Sequence, residues 1–175
     1  TICCSWDFIK GNDLTIIVNI MWAIISIRVE NKPGILFKVT HLFRSRNFNI
    51  DSLTVGVMEN PEFSKMVITT VGDEKQIVQI VKQLDKMIDT IEVKRLDEKK
   101  TVYKELVLFK IKLSGSSDST EINKLANTCG AKIHNVQKDS MIVELTATPD
   151  EIKAFEESIR PFGILDSART GVTAL

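Results

Sequence analysis

The sequence predicts an α+β fold made of two successive βαββαβ units, joined near the charged run at residues 97–100. Segments rich in β-branched residues alternate with segments whose apolar residues recur at helical spacing. The same order of segments then occurs a second time, which indicates an internal repeat. Helix-start signals support the pattern, the clearest being Thr148-Pro149-Asp150-Glu151, with a cap residue, a proline and an acid in order.

The first unit is predicted over residues 21–97, after a doubtful N-terminal extension at residues 1–20. A β-branched strand at residues 23–30 is followed by a break, and then by Leu36, Val39 and Phe43 at helical spacing to about Arg46. Strands are predicted near residues 53–57 and at residues 63–71, and a last strand at residues 90–96. Gly72-Asp73 opens the second helix, whose predicted buried face consists of Ile77, Ile80, Val81, Leu84 and Ile88.

The second unit is predicted over residues 103–175. Its first strand, residues 105–113, has consecutive apolar residues, consistent either with burial on both faces, one of them against a partner, or simply with the core of this unit. Asp118 and Glu121 predict a capping box for a helix that carries Ile122, Leu125, Ala126 and Cys129. A strand pair at residues 131–137 and 141–147, a helix with Ile152, Phe155 and Ile159 facing inward, and a strand at residues 164–169 complete the unit. Each half is expected to be an antiparallel sheet with helices on one face, which is a ferredoxin-like arrangement.

Composition limits the classes of function. The chain has 175 residues, 43% of them hydrophobic, and 23 basic side chains balance 23 acidic ones, which argues against nucleic acid as a partner. The apolar run at residues 14–27 is short for a membrane span, which needs about 20 residues, so no membrane partner is expected. Three cysteines without a CxxC pair favour a reduced, cytoplasmic location.

The sequence contains little that suggests catalysis. His41 lies in the middle of a predicted helix and His134 in a predicted strand, and neither has metal-ligand spacing to a cysteine. Cys129, at an apolar helix position beside Gly130, is predicted to be structural. With no nucleophile–base pair, we expect no catalytic residue, no metal and no cofactor on this chain, which is therefore not an enzyme by itself.

The most informative segment is residues 30–36, which joins the first strand to the first helix. Pro33 is predicted at the first helical position, and Gly34 lacks the Cβ that would block an approaching ligand. A small carboxylate would then find free amide donors at Ile35 and Leu36, while Asn31 would bind an adjacent amino group. Asn49, where the second strand begins, is expected to supply another amide to the same pocket. From spacing alone, an ordinary strand-to-helix turn is the favoured interpretation.

Several separated motifs make the binding pocket the favoured interpretation over an ordinary turn, because they resemble a known family. Residues 21–96 resemble an ACT domain, a small-molecule-sensing module, through Asn31-Lys32-Pro33-Gly34 and the surrounding residues 25–36, 42–55, 64–66, 70–75 and 83–89. Residues 105–111 and Ala168-Arg169-Thr170-Gly171 extend the resemblance to the regulatory small subunits of acetolactate synthase, also called acetohydroxyacid synthase. The resemblance covers most of the chain, and its motifs occur in the family's order.

The resemblance implies a non-catalytic regulatory role in branched-chain amino-acid biosynthesis. In that family a separate large subunit condenses two pyruvates, or pyruvate with 2-oxobutyrate, using thiamine diphosphate, Mg²⁺ and FAD. The small subunit activates the large one and confers feedback inhibition, usually by valine, which binds between the ACT domains of a homodimer. The implied effector-binding residues are Asn31, Lys32, Pro33, Gly34, Ile35, Leu36, Asn49 and Ile50.

Two other functions are considered. A free-standing ACT-type amino-acid sensor acting on a different partner, such as a transcriptional regulator, would need a helix-turn-helix and a basic face, and the sequence suggests neither. A small-molecule transferase would need a nucleophile–base pair. Valine, leucine and isoleucine stay open as effectors, because a difference of one methylene gives only about 1–3 kcal/mol of discrimination.

Overall fold

The computed structural model describes residues 20–175, apart from the side chain of Ser116. The expected N-terminal extension falls almost wholly on residues 1–19, outside that range. The first unit consists of β1 (Ile20–Glu30), α1 (Ile35–Ser45), β2 (Ser52–Val57), β3 (Phe63–Asp73), α2 (Glu74–Asp85) and β4 (Thr90–Leu96). The second consists of β5 (Tyr103–Lys112), α3 (Ser116–Cys129), β6 (Lys132–Val136), β7 (Ser140–Ala147), α4 (Pro149–Ile159), a 3₁₀ turn (Arg160–Phe162), β8 (Ile164–Arg169) and β9 (Thr173–Ala174).

The two sheets have equivalent topologies. The strand order is β2-β3-β1-β4 in the first and β6-β7-β5-β8 in the second, with β9 added beside the start of β5. Every pairing is antiparallel. The predicted repeat of two ferredoxin-like βαββαβ units is therefore confirmed. No helix within residues 20–175 has the length and apolar character needed to cross a membrane.

Helices cover one face of each sheet. In the first unit the inward residues of β1 alternate along the strand, and Ile35, Val39 and Phe43 of α1 pack against them. In the second unit Val107, Phe109 and Ile111 of β5 are likewise buried under α3 and α4. The residues that alternate with them are less buried, and Leu108, for example, is 37% exposed. The helices of this chain therefore cover only one face of β5, and burial of the other face stays a prediction.

Two capping boxes fix where helices begin. The Asp73 side chain accepts from the Gln76 amide at 2.7 Å and opens α2, as predicted. At α4 Thr148 is the cap, and the Glu151 carboxylate accepts from the Thr148 amide at 2.8 Å. Hydrogen bonds from the backbone and side chain of Thr148 lower the pKa of Glu151.

Other predictions at helix ends are wrong. Helix α3 begins at Ser116, so Asp118 is not its cap; the Asp118 carboxylate instead accepts from the Ser114 amide at 2.8 Å. Helix α2 ends at Asp85, which leaves Ile88 98% exposed rather than on the buried face. Leu36 is also exposed, because Ile35 occupies the inward position. Cys129 is exposed at the end of α3, which contradicts its expected place in the core.

A short segment of the second unit lies on the first sheet, on the face opposite the helices. We call this segment, residues 171–175, the strap. Val172 and Ala174 of the strap form a buried cluster with Ile24 and Val67. Tyr103, at the start of β5, packs on Trp22 of β1 with ring centroids 5.6 Å apart. The two units are thus joined through a small apolar core of their own.

Candidate functional site

The predicted effector loop, residues 31–36, leaves the end of β1 and enters α1. Gly34 is the residue that precedes the helix, with φ +86° and ψ −8°, in the left-handed region that favours glycine. No atom lies within 4 Å of a Cβ built at this position, so the surface beside Gly34 is open. The local conformation, rather than crowding, therefore explains why a glycine suits this position.

The start of α1 differs in detail from the prediction. Pro33 lies in the turn, one position before Gly34, and is not the first helical residue. The Ile35 amide is not free, because it donates to the Lys32 carbonyl at 3.4 Å. Among residues 20–175 the Leu36 amide has no such acceptor and points from the positive end of α1. One amide of the predicted pair is thus available for an anion.

Asn31 is held by the turn between β2 and β3. Its backbone amide donates to the Glu62 carbonyl at 2.7 Å, and its side-chain Nδ2 donates to the Pro61 carbonyl at 2.9 Å. The Asn31 Oδ1 accepts no hydrogen bond within the described residues, so it can accept one from an ammonium group. Beside it, the Lys32 ammonium contacts Glu30 at 2.5 Å, and this hydrogen bond raises the pKa of Lys32.

The second predicted group, Asn49 and Ile50, precedes β2. The Asn49 carbonyl accepts from the Thr70 hydroxyl at 2.6 Å, and its Nδ2 donates to the Asp51 carboxylate at 3.0 Å. Asn49 is exposed, whereas Ile50 is half-buried against the first core. We call residues 31–36 the loop half-site and residues 49–50 the strand half-site.

The strand half-site borders a cavity of about 420 Å³ that the sequence did not suggest. The cavity is lined by Thr40, Phe43, Arg44, Asn47, Phe48, Asn49 and Ile50. Arg44 supplies a positive charge there, and Thr40 is already bonded to carbonyl groups within α1. The sequence alone does not distinguish Arg44 as a binding residue, because the helix dipole also favours a basic residue in the last turn of a helix.

The two half-sites do not meet within one chain. Asn31 is bonded to Glu62 and Asn49 to Thr70, which are eight positions apart along the same chain segment. At about 3.3 Å per residue, the two lie roughly 25 Å apart, at opposite ends of the sheet. The expectation that Asn49 supplies an amide to the pocket formed by its own residues 31–36 is therefore wrong.

The geometry at the edge of the sheet suggests how they can combine. Strand β2 is an edge strand, because it pairs with β3 alone. Val55 and Val57 on it are 44% and 63% exposed. Since β1 and β2 both run antiparallel to β3, the loop half-site lies at the same end of the sheet as the end of β2. An antiparallel β2–β2 pair between two copies would bring the start of one β2 to that end.

Comparison with known proteins decides the family. The family described as "AHAS small subunit-like ACT domain" matches residues 25–92, and that described as "Small subunit of acetolactate synthase" matches residues 104–175. A probable acetolactate synthase small subunit from Archaeoglobus fulgidus is 43% identical over 151 residues, which cover 86% of this chain and 94% of that protein. This chain belongs to the acetolactate synthase small subunit family.

Other members support the assignment. The acetolactate synthase small subunit of Bacillus subtilis is 37% identical over 155 residues, 88% of this chain and 90% of that protein. The crystal structure of the Thermotoga maritima small subunit superposes with a TM-score of 0.81 at 35% identity, covering 89% of this chain and 96% of that one. The family match over residues 25–92 identifies the first unit as an ACT domain.

The remaining reactive side chains are dispersed. His41 is exposed on α1 and lies against Phe37, while His134 on β6 contacts the Glu144 carboxylate at 2.6 Å. Within residues 20–175 no three His, Cys, Asp or Glu side chains come together as they would around a metal ion. The predicted effector residues are therefore the groups on which a function is best argued.

Proposed function

We propose that this chain is a regulatory small subunit that binds a branched-chain amino acid between two ACT domains. Two copies pair antiparallel through β2, so that the loop half-site of each faces the strand half-site of the other. Binding of valine, or of leucine or isoleucine, inhibits a large catalytic subunit that the free small subunit activates. The large subunit would carry thiamine diphosphate, Mg²⁺ and FAD, and this chain neither a cofactor nor a catalytic residue.

The observation that carries this proposal is the separation of the half-sites along a sheet whose β2 edge is unpaired. A two-fold axis through a β2–β2 pair turns that separation into two equivalent composite sites. The side chain of Asn31 favours this arrangement, since its bond to Pro61 draws the loop toward the turn that ends β2.

The groups present suit a zwitterionic ligand with an apolar side chain. The Leu36 amide, at the positive end of α1, offers a donor to a carboxylate. The Asn31 Oδ1 offers an acceptor to the ammonium, and the strand half-site of the partner copy would contribute Ile50 to the apolar part. The name "small subunit", which the relatives carry, supports a large-subunit partner.

Regulation then follows from linkage. A ligand shared by two chains changes their arrangement only to the extent that it binds one arrangement more tightly than another. The arrangement favoured by the amino acid is the one that activates the large subunit less. Because coupling is reciprocal, binding of the large subunit must also change the affinity of the small subunit for the amino acid.

The first experiment is calorimetric titration of the chain with valine, leucine and isoleucine, comparing wild type with Gly34→Asp. An aspartate at residue 34 places a carboxylate where the ligand carboxylate would dock, so saturable binding should disappear. Gly130→Asp is the matched control, because Gly130 also has a positive φ (+69°) and open surroundings but lies in the second unit. It should bind valine like wild type.

The same variants should then be assayed with the large subunit for acetolactate formation. Gly34→Asp should still activate but no longer respond to the amino acid. Full valine sensitivity in Gly34→Asp would overturn the assignment of the site. Valine binding without any effect on a large subunit would instead favour a free-standing sensor that acts on another partner.

A further inference from the structure

The strap contacts the strand that carries the proposed strand half-site. Thr54 of β2 donates its hydroxyl to the Val172 carbonyl at 2.9 Å, and the Val172 amide donates to the Ser52 hydroxyl oxygen at 3.2 Å. Lys65 of β3 donates to the Ala174 carbonyl at 3.1 Å. Three side chains of the first sheet thus bind the backbone of one short segment from the second unit.

Close packing accompanies these bonds at Gly171. The residue has φ +84°, and a Cβ there would lie 3.0 Å from the Ser52 Cβ and 3.3 Å from the Thr54 Oγ1. The strap therefore approaches β2 as closely as a glycine allows. On the other side of the strap, β9 pairs with β5, so the segment is fixed to the second unit as well.

Hydrogen bonds continue from the strap to Asn49. The Ser52 hydroxyl is 2.7 Å from the Thr69 hydroxyl, and the Asp51 amide donates to the Thr69 carbonyl at 2.9 Å. The Asp51 carboxylate in turn accepts from the Asn49 side chain. Asp51 also lines a cavity of about 510 Å³ between the units, together with Arg169 and Gly171.

We infer that Ser52 and Thr54, through their contacts with Gly171 and Val172, position the strand half-site for the effector, so that the second unit sets the effector affinity of the ACT domain. This inference rests on the proposed function. Because coupling is reciprocal, effector binding at Asn49 also tightens the strap on β2. The second unit thereby senses occupancy through contacts made by its own backbone.

The test compares two substitutions at one residue in the full chain. Thr54→Val keeps the shape and removes the hydroxyl, whereas Thr54→Ser keeps the hydroxyl. Thr128→Val is a matched control, since the Thr128 hydroxyl bonds only within α3. We expect Thr54→Val to raise the valine Kd about fivefold, equivalent to loss of about one neutral hydrogen bond, while Thr54→Ser and Thr128→Val stay within about twofold of wild type.

Amide hydrogen exchange supplies a readout that a merely structural role would not change. Saturating valine should slow exchange in the strap of the wild-type chain, and should fail to do so in Thr54→Val. An unchanged Kd in Thr54→Val, or strap exchange in wild type that ignores valine, overturns the inference alone. A wild-type chain that binds none of the three amino acids overturns the proposed function and this inference with it.

Discussion

Among single residues, two glycines with nearly the same backbone conformation have different surroundings. Gly130 (φ +69°) ends α3 with nothing within 4 Å of the place a Cβ would take, whereas Gly171 (φ +84°) lies against Ser52 and Thr54. Both disfavour a side chain because of the left-handed conformation, at a cost of about 1 kcal/mol for alanine. Only Gly171 adds a steric cost between the two units.

We therefore expect Gly171→Ala to lower the free energy of unfolding by more than Gly130→Ala does. Both substitutions carry the cost of the left-handed conformation. The difference between the two losses of unfolding free energy, about 1–2 kcal/mol, therefore measures the steric cost of the contact with Ser52. Urea denaturation followed by circular dichroism checks both variants under the same conditions. Equal losses would mean that the strap can withdraw from β2 at little cost.

At the same scale, the sequence suggested candidate site residues but not their partners in the fold. Gly34 was identifiable because a glycine between a strand and a helix marks a turn that needs special backbone angles. The hydrogen bond from Asn31 to Pro61 could not be predicted, because it joins residues thirty positions apart at the turn between β2 and β3. The place of Arg44 in the cavity beside Asn49 was not predicted for a related reason, because only the fold of the loop before β2 brings the two residues together.

Among elements, β2 provides the exposed edge through which the proposed dimer would pair. An unpaired edge with exposed valines is a template for another strand, and a charge on it opposes such pairing. Val57→Lys should therefore weaken the dimer by at least about tenfold and weaken valine binding with it. Sedimentation velocity over a range of concentrations measures the first effect, and calorimetry the second.

The control for this prediction lies on the corresponding edge of the other sheet. Val136 on β6 is 56% exposed, and Val136→Lys should leave the dimer intact. A dimer that persists in Val57→Lys and dissociates in Val136→Lys would place the interface on the second unit instead.

Elements were predictable where local signals agree with tertiary packing. Thr148 and Asp73 mark helix starts because their side chains satisfy amides within the same turn, which requires no distant partner. Ile88 continued an apolar spacing past the true end of α2, and spacing alone does not show where a helix stops. Strand β9 was not predicted, because its two residues are too few to show alternation.

For the whole molecule, the repeat predicted two similar units but not how they join. Two ferredoxin-like sheets each leave one face without helices, and the sequence does not say what covers it. In this chain Val172 and Ala174 of the strap cover part of the first sheet, beside Ile24 and Val67. This placement depends on contacts between residues more than a hundred positions apart.

At the same scale lies the question of whether each proposed effector site is shared by two chains. In a two-fold dimer, a chain with Asn31→Ala and a chain with Asn49→Ala form one site that lacks both side chains and one that retains both. Each variant alone should bind little or no valine. A heterodimer purified through two different affinity tags should bind valine with wild-type affinity at about half of the wild-type stoichiometry. Calorimetry measures both quantities, and a heterodimer as inactive in binding as its parents would mean that the half-sites do not combine across chains.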